Sequence, residues 1–447
     1  MCGIVGAATR RNVTDILLEG LQRLEYRGYD SAGLVLVDAD NALQRVRRVG
    51  KVAELKSACQ KGSDTSPGRG ETGIAHTRWA THGKPTEGNA HPHVSSEKIA
   101  VVHNGIIENH HELRLDLETA GYVFASETDT EVVAHLVHRE VASNGDFKSG
   151  VVSALALLRG AYAVGVVHTD HPGKIIAARV GSPLVVGCGI GENFIASDPQ
   201  ALRPVTDRFI YLDEGEIVEI TADTIEIFGG SDVPTDSRIV RLDATADATD
   251  KGGYRHYMMK EIHEQPDSVR RTLEGRITDK QVLINAFGAD AESIFSQTKA
   301  VQIVACGSSF YTGLVAKYWC EQIVGVPCHV EIASEFRYRK VAVQPNTLMV
   351  TISQSGETAD TLAALRDATD ENYLASLCLC NVPNSSLVRE SDLCLMINAG
   401  PEICVASTKA FTNQLTDLML LVLALAKSQG MSPEDEAGYV SALNSVP

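Results

Sequence analysis

Apolar and polar positions along the 447 residues fall into two regimes. From Cys2 to about Asp236, short apolar runs such as Ile99–Val102, Ala163–Val167 and Ile175–Ala178 predict strands. Stretches with helical periodicity, Val13–Leu24 and Glu131–Val141, predict helices between them. Loops rich in Gly, His and Asn separate these elements, and the polar segment Gly62–Gly70 reads as one of them. Apolar periodicity fades over 237–253, where Asp, Thr and Ala dominate, and a helical pattern resumes at Tyr254–Glu261. Strand and helix then alternate. Val301–Ala305 leads through Cys306–Ser309 to a helix over Phe310–Ile323, and Leu348–Ile352 leads through Ser353–Thr358 to a helix over Ala359–Ala368. Strands Leu374–Cys380 and Leu393–Ile397, a long helix Thr408–Lys427 and a polar tail follow. Such alternation predicts a parallel sheet with helices on both faces and ligands at the carboxyl ends of its strands. The pattern divides the chain into a domain over 2–236, a linker over 237–253 and a second domain over 254–447.

Composition narrows the classes. The apolar content of 44% and charged content of 22% suit an ordinary globular protein. A formal net charge of −17 argues against nucleic acid or an anionic membrane as partner. It leaves room for an anionic small molecule, because phosphate is held by local backbone amides and hydroxyls. The first residues lack a basic region followed by an apolar block, so no signal peptide is expected. The most apolar stretch, Leu415–Ala426, is too short for a membrane span and contains Asp417. Ten cysteines show no framework spacing, and Cys378-Leu379-Cys380 is too tight for a zinc knuckle, which points to a reducing, cytoplasmic setting. His76, His82, His91, His93 and His103 lie in one stretch, but no helix-spaced pair or Cys/His tetrad forms, so neither a metal nor a cofactor is predicted.

The chemistry starts at the second residue. With Met1 removed, Cys2 would carry a nucleophilic thiol and an α-amine that titrates near ~7.7–8.0, so that nucleophile and general base share one residue. Arg78, within His76–Gly83, could clamp a carboxylate bidentately. Asn104-Gly105 could supply an amide and a backbone N–H as a two-donor oxyanion hole, or could simply be a turn. Asp129 could accept an α-ammonium, or could cap the helix from Glu131. In the second half, Ser353-Gln354-Ser355-Gly356-Glu357-Thr358 and Cys306-Gly307-Ser308-Ser309 place hydroxyls and helix N-termini at two successive strand ends. That is phosphate-binding chemistry, with a pair of ordinary capped turns as the alternative.

Cys2-Gly3-Ile4-Val5-Gly6, Arg78-Trp79-Ala80-Thr81-His82-Gly83, His103-Asn104-Gly105 and Glu127-Thr128-Asp129-Thr130 together resemble the class II glutamine amidotransferases. The resemblance implies an N-terminal four-layer αββα Ntn-hydrolase domain in which Cys2 attacks the glutamine amide. Asn104 and Gly105 would hold the oxyanion, and Arg78, Trp79, Thr81, His82 and Asp129 would bind glutamine. Leu24–Ser31 also matches, with Arg27 near the site entrance. No SGGxDS, phosphoribosyl or Walker loop appears in the second half. Instead Glu331–Arg339, Ser353–Thr358 and Val405–Phe411 resemble the sugar-isomerase (SIS) domain of the glucosamine-6-phosphate synthase family.

This second resemblance implies a doubly wound, flavodoxin-like parallel sheet, an α/β architecture overall, and conversion of fructose 6-phosphate and glutamine to glucosamine 6-phosphate and glutamate. Ser308, Ser309, Ser353, Gln354, Ser355 and Thr358 would cradle the sugar phosphate, with Val405 and Ser407 lining the sugar. Ser308 stands where Thr is usual in the family, and the hydroxyl is kept. The resemblance also implies a homodimer for the full-length form. Family members carry two SIS domains and only the first is matched, so these residues alone are expected to hydrolyse glutamine, to bind sugar phosphate in part, and not to form glucosamine 6-phosphate. The competing expectations are a class II amidotransferase with another acceptor and a non-catalytic sugar-phosphate-binding regulator.

Overall fold

Central strands of the first half, such as Gly3–Ala8 and Ile99–Val102, are buried on both faces, so each must sit between two covering layers. The computed structural model, which describes residues 2–25, 30–60, 67–79, 83–230, 234–242, 251–369 and 373–447, shows how this is met. The chain forms two compact units, Met1–Ala246 and Asp247–Pro447.

In the first unit an eight-stranded antiparallel sheet runs, edge to edge, Val240–Arg241, Arg208–Tyr211, Val185–Cys188, Asn193–Ala196, Gly3–Ala8, Gly70–Arg78, Ser31–Asp38 and Leu43–Val49. A six-stranded antiparallel sheet runs Ile225–Phe228, Ile217–Ile220, Ile175–Val180, Gly160–His168, Ile99–Ile107 and His93–Ser95. Residue parity assigns side chains to layers. Val5, Ala7, Leu34 and Leu36 pack with helices Thr14–Leu24 and Val52–Ala58 on one outer face. Ile4, Ala8, Val35, Val37, Ile74, Ala100 and Val102 fill the space between the sheets. Val101, Val164 and Val166 pack with helices Asp129–Asn144 and Phe147–Leu155 on the other outer face. The result is the four-layer αββα arrangement expected for this half. Gly6 and Gly165 face the inter-sheet layer, where a Cβ on either would meet the Ile195 side chain within 3 Å, so the two glycines leave the room that side chain fills.

The second unit is built on a five-stranded parallel sheet in the order Cys328–Ile332, Ala300–Ala305, Thr347–Ser353, Ala375–Cys380 and Leu393–Met396. Counted in chain order this is 2-1-3-4-5, the flavodoxin-like order, and its switch point lies between the first and third strands. Those strands carry the two hydroxyl-rich segments at their carboxyl ends, and Ala305 pairs with Ile352. The helix Lys409–Ser428 buries Leu418 and Leu420–Leu425 against this core.

Several boundaries differ from those the sequence predicts. The helix expected at Phe310 already spans Gly307–Trp319 and continues as a π-helical turn, Cys320–Val324, because Gly307 at φ +58° turns the chain straight from the strand into the helix. Ser308 and Ser309 therefore belong to a first helical turn and not to a loop. The polar tail contains a helix, Pro433–Asn444, started by Ser432 as N-cap and Pro433 in the first turn. That helix docks by burying Val440 and Glu436, the latter accepting from Val282 N–H and Lys427. Within the expected linker, Val240–Arg241 pairs with Arg208–Phe209, and 243–250 lie outside the described residues. So do residues 62–66 of the expected polar loop. Among the described residues no helix is long and apolar enough to cross a membrane.

Candidate functional site

Cys2 stands immediately before the central strand Gly3–Ala8, and Arg78 ends the neighbouring strand Gly70–Arg78. Antiparallel pairing sets Gly3 opposite Thr77, so Cys2 lies beside the Arg78-Trp79 end of its neighbour. The Trp79 backbone N–H donates to Cys2 Sγ at 3.2 Å, and the thiol lies 3.5 Å from the Trp79 carbonyl oxygen. Burial pushes the Cys2 thiol up, while the Trp79 hydrogen bond and the Arg78 charge pull it back and Asp129 opposes them. Cys2, Arg78 and Asp129, separated by long stretches of chain, thus act on one another electrostatically. Arg78 is buried, and its guanidinium lies 3.5 Å from the carbonyls of Gly83 and Lys84.

The inter-sheet layer changes character at this end. On one strand Ile74 gives way to His76 and Arg78 along the same face, and on the facing strand Ala100 and Val102 give way to Asn104. Period-two geometry therefore delivers polar side chains to the sandwich edge where Cys2 sits. Asn104 Nδ2 donates to the Cys2 carbonyl at 3.2 Å, and its Oδ1 lies 3.0 Å from His76 Nε2. Gly105 has φ +123°, and a Cβ there would meet the Ala161 carbonyl at 2.0 Å. Asn104-Gly105 is therefore a strand segment, paired with Ala163 and Tyr162, and not the turn that the dipeptide also allowed. Thr128 caps the helix Asp129–Asn144 by accepting from Glu131 N–H, which leaves the Asp129 carboxylate free of capping. Asp129 Oδ2 accepts instead from Ile107 N–H at 3.0 Å, one strand residue beyond Ile106. Trp79 is 39% exposed. Arg27, Thr81 and His82 lie outside the described residues.

Supporting groups that motif reading did not assign lie behind this cluster. Glu131 accepts from Ala125 N–H, Ser126 N–H and the Ser126 hydroxyl, which fixes the turn before Asp129. Asn89 and Glu127 exchange hydrogen bonds at 3.0 Å beside Gly83. His76, His91, His93 and His103 are buried, and burial holds His76 down to about 3 and His91 and His93 well below the usual histidine range. For His76 and His103 the available signal was histidine following apolar residues within a strand.

In the second unit Ser353 Oγ accepts from Gly356 N–H at 3.0 Å and lies 3.1 Å from Thr358 Oγ1, and Ser355 Oγ accepts from Glu357 N–H at 3.2 Å. Gly356, at φ +66°, makes the turn, and Glu357 ties it down by accepting from the Ser386 N–H and hydroxyl. Gln354 and Ser355 are half-buried, Ser308 is exposed and Ser309 buried, the last two on a helix whose N-cap, Cys306, makes no side-chain capping bond among the described residues. The adjacent strands bring these two segments side by side, and amides of the first helical turn could add to the hydroxyls as anion donors. Val405, 74% exposed, and Ser407 lie on a segment organised by two carboxylates. Glu261 accepts from Ile403 and Cys404 N–H, and Glu402 accepts from Thr408 and Ala410 N–H and the Ser407 hydroxyl.

Fold and clusters together define a glutamine amidotransferase unit joined to a SIS unit. The glutamine amidotransferase domain model matches residues 76–204 and the SIS domain model residues 294–424. Over its whole length the chain is 58% identical to the glutamine–fructose-6-phosphate aminotransferase (isomerizing) of Pseudomonas aeruginosa, covering 73% of that protein. It is 57% identical to the protein of the same name from Idiomarina loihiensis, again over the whole chain and 73% of the relative. A solved C-terminal domain of the glucosamine–fructose-6-phosphate aminotransferase from Francisella tularensis matches at 50% identity with a TM-score of 0.43, over 44% of this chain and 55% of that one. The chain belongs to the glutamine–fructose-6-phosphate aminotransferase (isomerizing) family.

Proposed function

We propose that this chain takes ammonia from glutamine at Cys2 and holds fructose 6-phosphate at the SIS strand ends, as the two sides of the reaction that yields glucosamine 6-phosphate and glutamate. The convergence of Cys2, Arg78, Asn104 and Asp129 at one end of the αββα sandwich carries the reading. With Met1 removed, the α-amine of Cys2 takes the thiol proton and the thiolate attacks the glutamine amide carbon. Negative charge on the amide oxygen is met by Asn104 Nδ2 and Gly105 N–H. The ammonium returns its proton to the leaving nitrogen, ammonia departs, and a thioester on Cys2 remains. Water then cleaves the thioester, giving glutamate and the free thiol. Arg78 holds the α-carboxylate of glutamine and Asp129 its ammonium. Arg27, Trp79, Thr81 and His82 complete the glutamine site by family likeness.

On the sugar side Ser308, Ser309, Ser353, Gln354, Ser355 and Thr358 receive the phosphate, and Val405 and Ser407 face the sugar. The family likeness also favours a homodimer, and ten free thiols suit the cytosol.

Intact mass and product analysis test the reading. The chain is expected to lack Met1, to gain one adduct on Cys2 from a glutamine-like electrophile and to release glutamate from glutamine, with Cys2→Ala inactive in both assays. Fructose 6-phosphate is expected to raise the melting temperature in a saturable way. Retention of Met1, or glutamate release that survives Cys2→Ala, sinks the nucleophile assignment. No response to sugar phosphate sinks the second.

A further inference from the structure

The buried histidines behind Asn104 have no part in the chemistry above, yet their donors and acceptors interlock. The His103 backbone N–H donates to His91 Nδ1 at 3.4 Å, so the proton of neutral His91 sits on Nε2. That Nε2–H faces Thr130 Oγ1 at 3.2 Å, and the Thr130 hydroxyl in turn lies 3.0 Å from His103 Nδ1. His91 is thereby fixed in tautomer and orientation. Its ring stacks on His76, with centroids 4.1 Å apart and planes 21° from parallel. His76 Nε2 then meets Asn104 Oδ1 at 3.0 Å, bridging the two sheets. Since Asn104 Nδ2 is the donor toward Cys2, Oδ1 must accept, and His76 Nε2 must carry the proton.

The torsion at an Asn amide is broad and roughly two-fold. An amide turned over would present Oδ1 to the developing oxyanion, converting a stabilising donor into a repelling acceptor. We propose that His76 is a positioning residue for the oxyanion hole: its Nε2–H pins Asn104 Oδ1 and so keeps Nδ2 aimed at the reacting carbonyl of glutamine, with His91 as the plate that holds the ring. The proposal rests on the assignment of Cys2 as nucleophile and Asn104 as oxyanion donor.

Glutaminase kinetics on the full chain test it with His76→Leu, His76→Gln, Asn104→Ala and the double variant His76→Leu/Asn104→Ala. Loss of one oxyanion donor costs about 10²–10³ in kcat, and loss of its orientation is expected to cost about tenfold or more, with KM for glutamine within about threefold. Gln carries an N–H at similar reach, so His76→Gln is expected to recover most of kcat. In the Asn104→Ala background His76→Leu should cost nothing further, because there is no amide left to orient. Alkylation of Cys2 by iodoacetamide should proceed at the wild-type rate, as it needs no oxyanion hole. If His76→Leu does not fold, His76→Asn, too short to reach Oδ1, takes its place in the same cycle. Losses that multiply in the double variant, a defect confined to KM, or His76→Gln no better than His76→Leu would each overturn the role of His76 while the nucleophile assignment stands. Absence of glutamine hydrolysis by the wild-type chain would overturn that assignment and this inference with it.

Discussion

At the scale of single residues, Arg78 shows how little a motif says until its surroundings are known. Its guanidinium is buried, and burial lowers its pKa against the opposing charge of Asp129 and, once ionised, of the Cys2 thiolate. A group kept charged under those conditions is suited to a planar, bidentate partner such as the α-carboxylate of glutamine. Lysine keeps the charge and loses the fork. A charge-assisted hydrogen bond contributes about 1.5–3 kcal/mol, so Arg78→Lys should lower kcat/KM for glutamine by roughly 10–100-fold, chiefly through KM. Steady-state glutaminase assays decide this, and an effect on kcat alone would place Arg78 elsewhere in the mechanism. Asp129 makes a similar point. Its alternative role as a helix cap falls to Thr128, which frees the carboxylate to face the site.

Among the elements, the turn after Thr347–Ser353 is the most exacting. Gly356 sits at φ +66° and is buried, and a Cβ there would lie 2.0 Å from Ser385 Oγ and 2.6 Å from Cys380 Sγ. An Ala at this position must move Ser385 or the turn itself, and a strained position of this type costs about 1–3 kcal/mol. Gly356→Ala is therefore expected to abolish the stabilisation by fructose 6-phosphate and lower the melting temperature of its unit. Glutamine hydrolysis at Cys2 should stay within about twofold of wild type, since the substitution leaves its groups untouched. A full sugar-phosphate response in this variant would show that the turn does not shape the site. The same turn was legible in the sequence because Ser-Gly-Glu-Thr between an apolar strand and a helix has few other readings. The early start of the helix at Gly307 was not, since Ser308 and Ser309 carry no helical periodicity and only the strand-end geometry decides where winding begins.

For the molecule as a whole, the buried histidines set a pH limit. His76 is held down to about 3 and His168 to about 4, both chiefly by burial, whereas an exposed histidine titrates near ~6.5. The unfolded chain thus binds more protons than the folded one between those values. Stability is full above pH ~6.5 and falls as pH drops toward the folded values, by about 1.4 kcal/mol per pH unit for each such histidine. Urea midpoints of the first unit should decline from pH 7 to 5, and His76→Gln should flatten that slope by about one proton's share. Midpoints level across this range would contradict the burial of these rings.

Two kinds of information can be separated on this basis. The sequence by itself determined the division into two α/β halves, the Cys2 start, the Arg78, Asn104-Gly105 and Asp129 motifs and the hydroxyl-rich strand ends. Each depends on residue type and short-range periodicity, which local pattern records directly. The tertiary structure alone decided that His76, Arg78 and Asn104 continue the inter-sheet faces of Ile74 and Val102, and that Asp129 accepts from Ile107 N–H on a neighbouring strand. It also decided that the flavodoxin-like order sets Ser308-Ser309 beside Ser353–Thr358. Those facts rest on which strand lies next to which. Strand order is fixed by burying apolar faces across the whole unit, a sum over contacts distant in sequence that no local window contains.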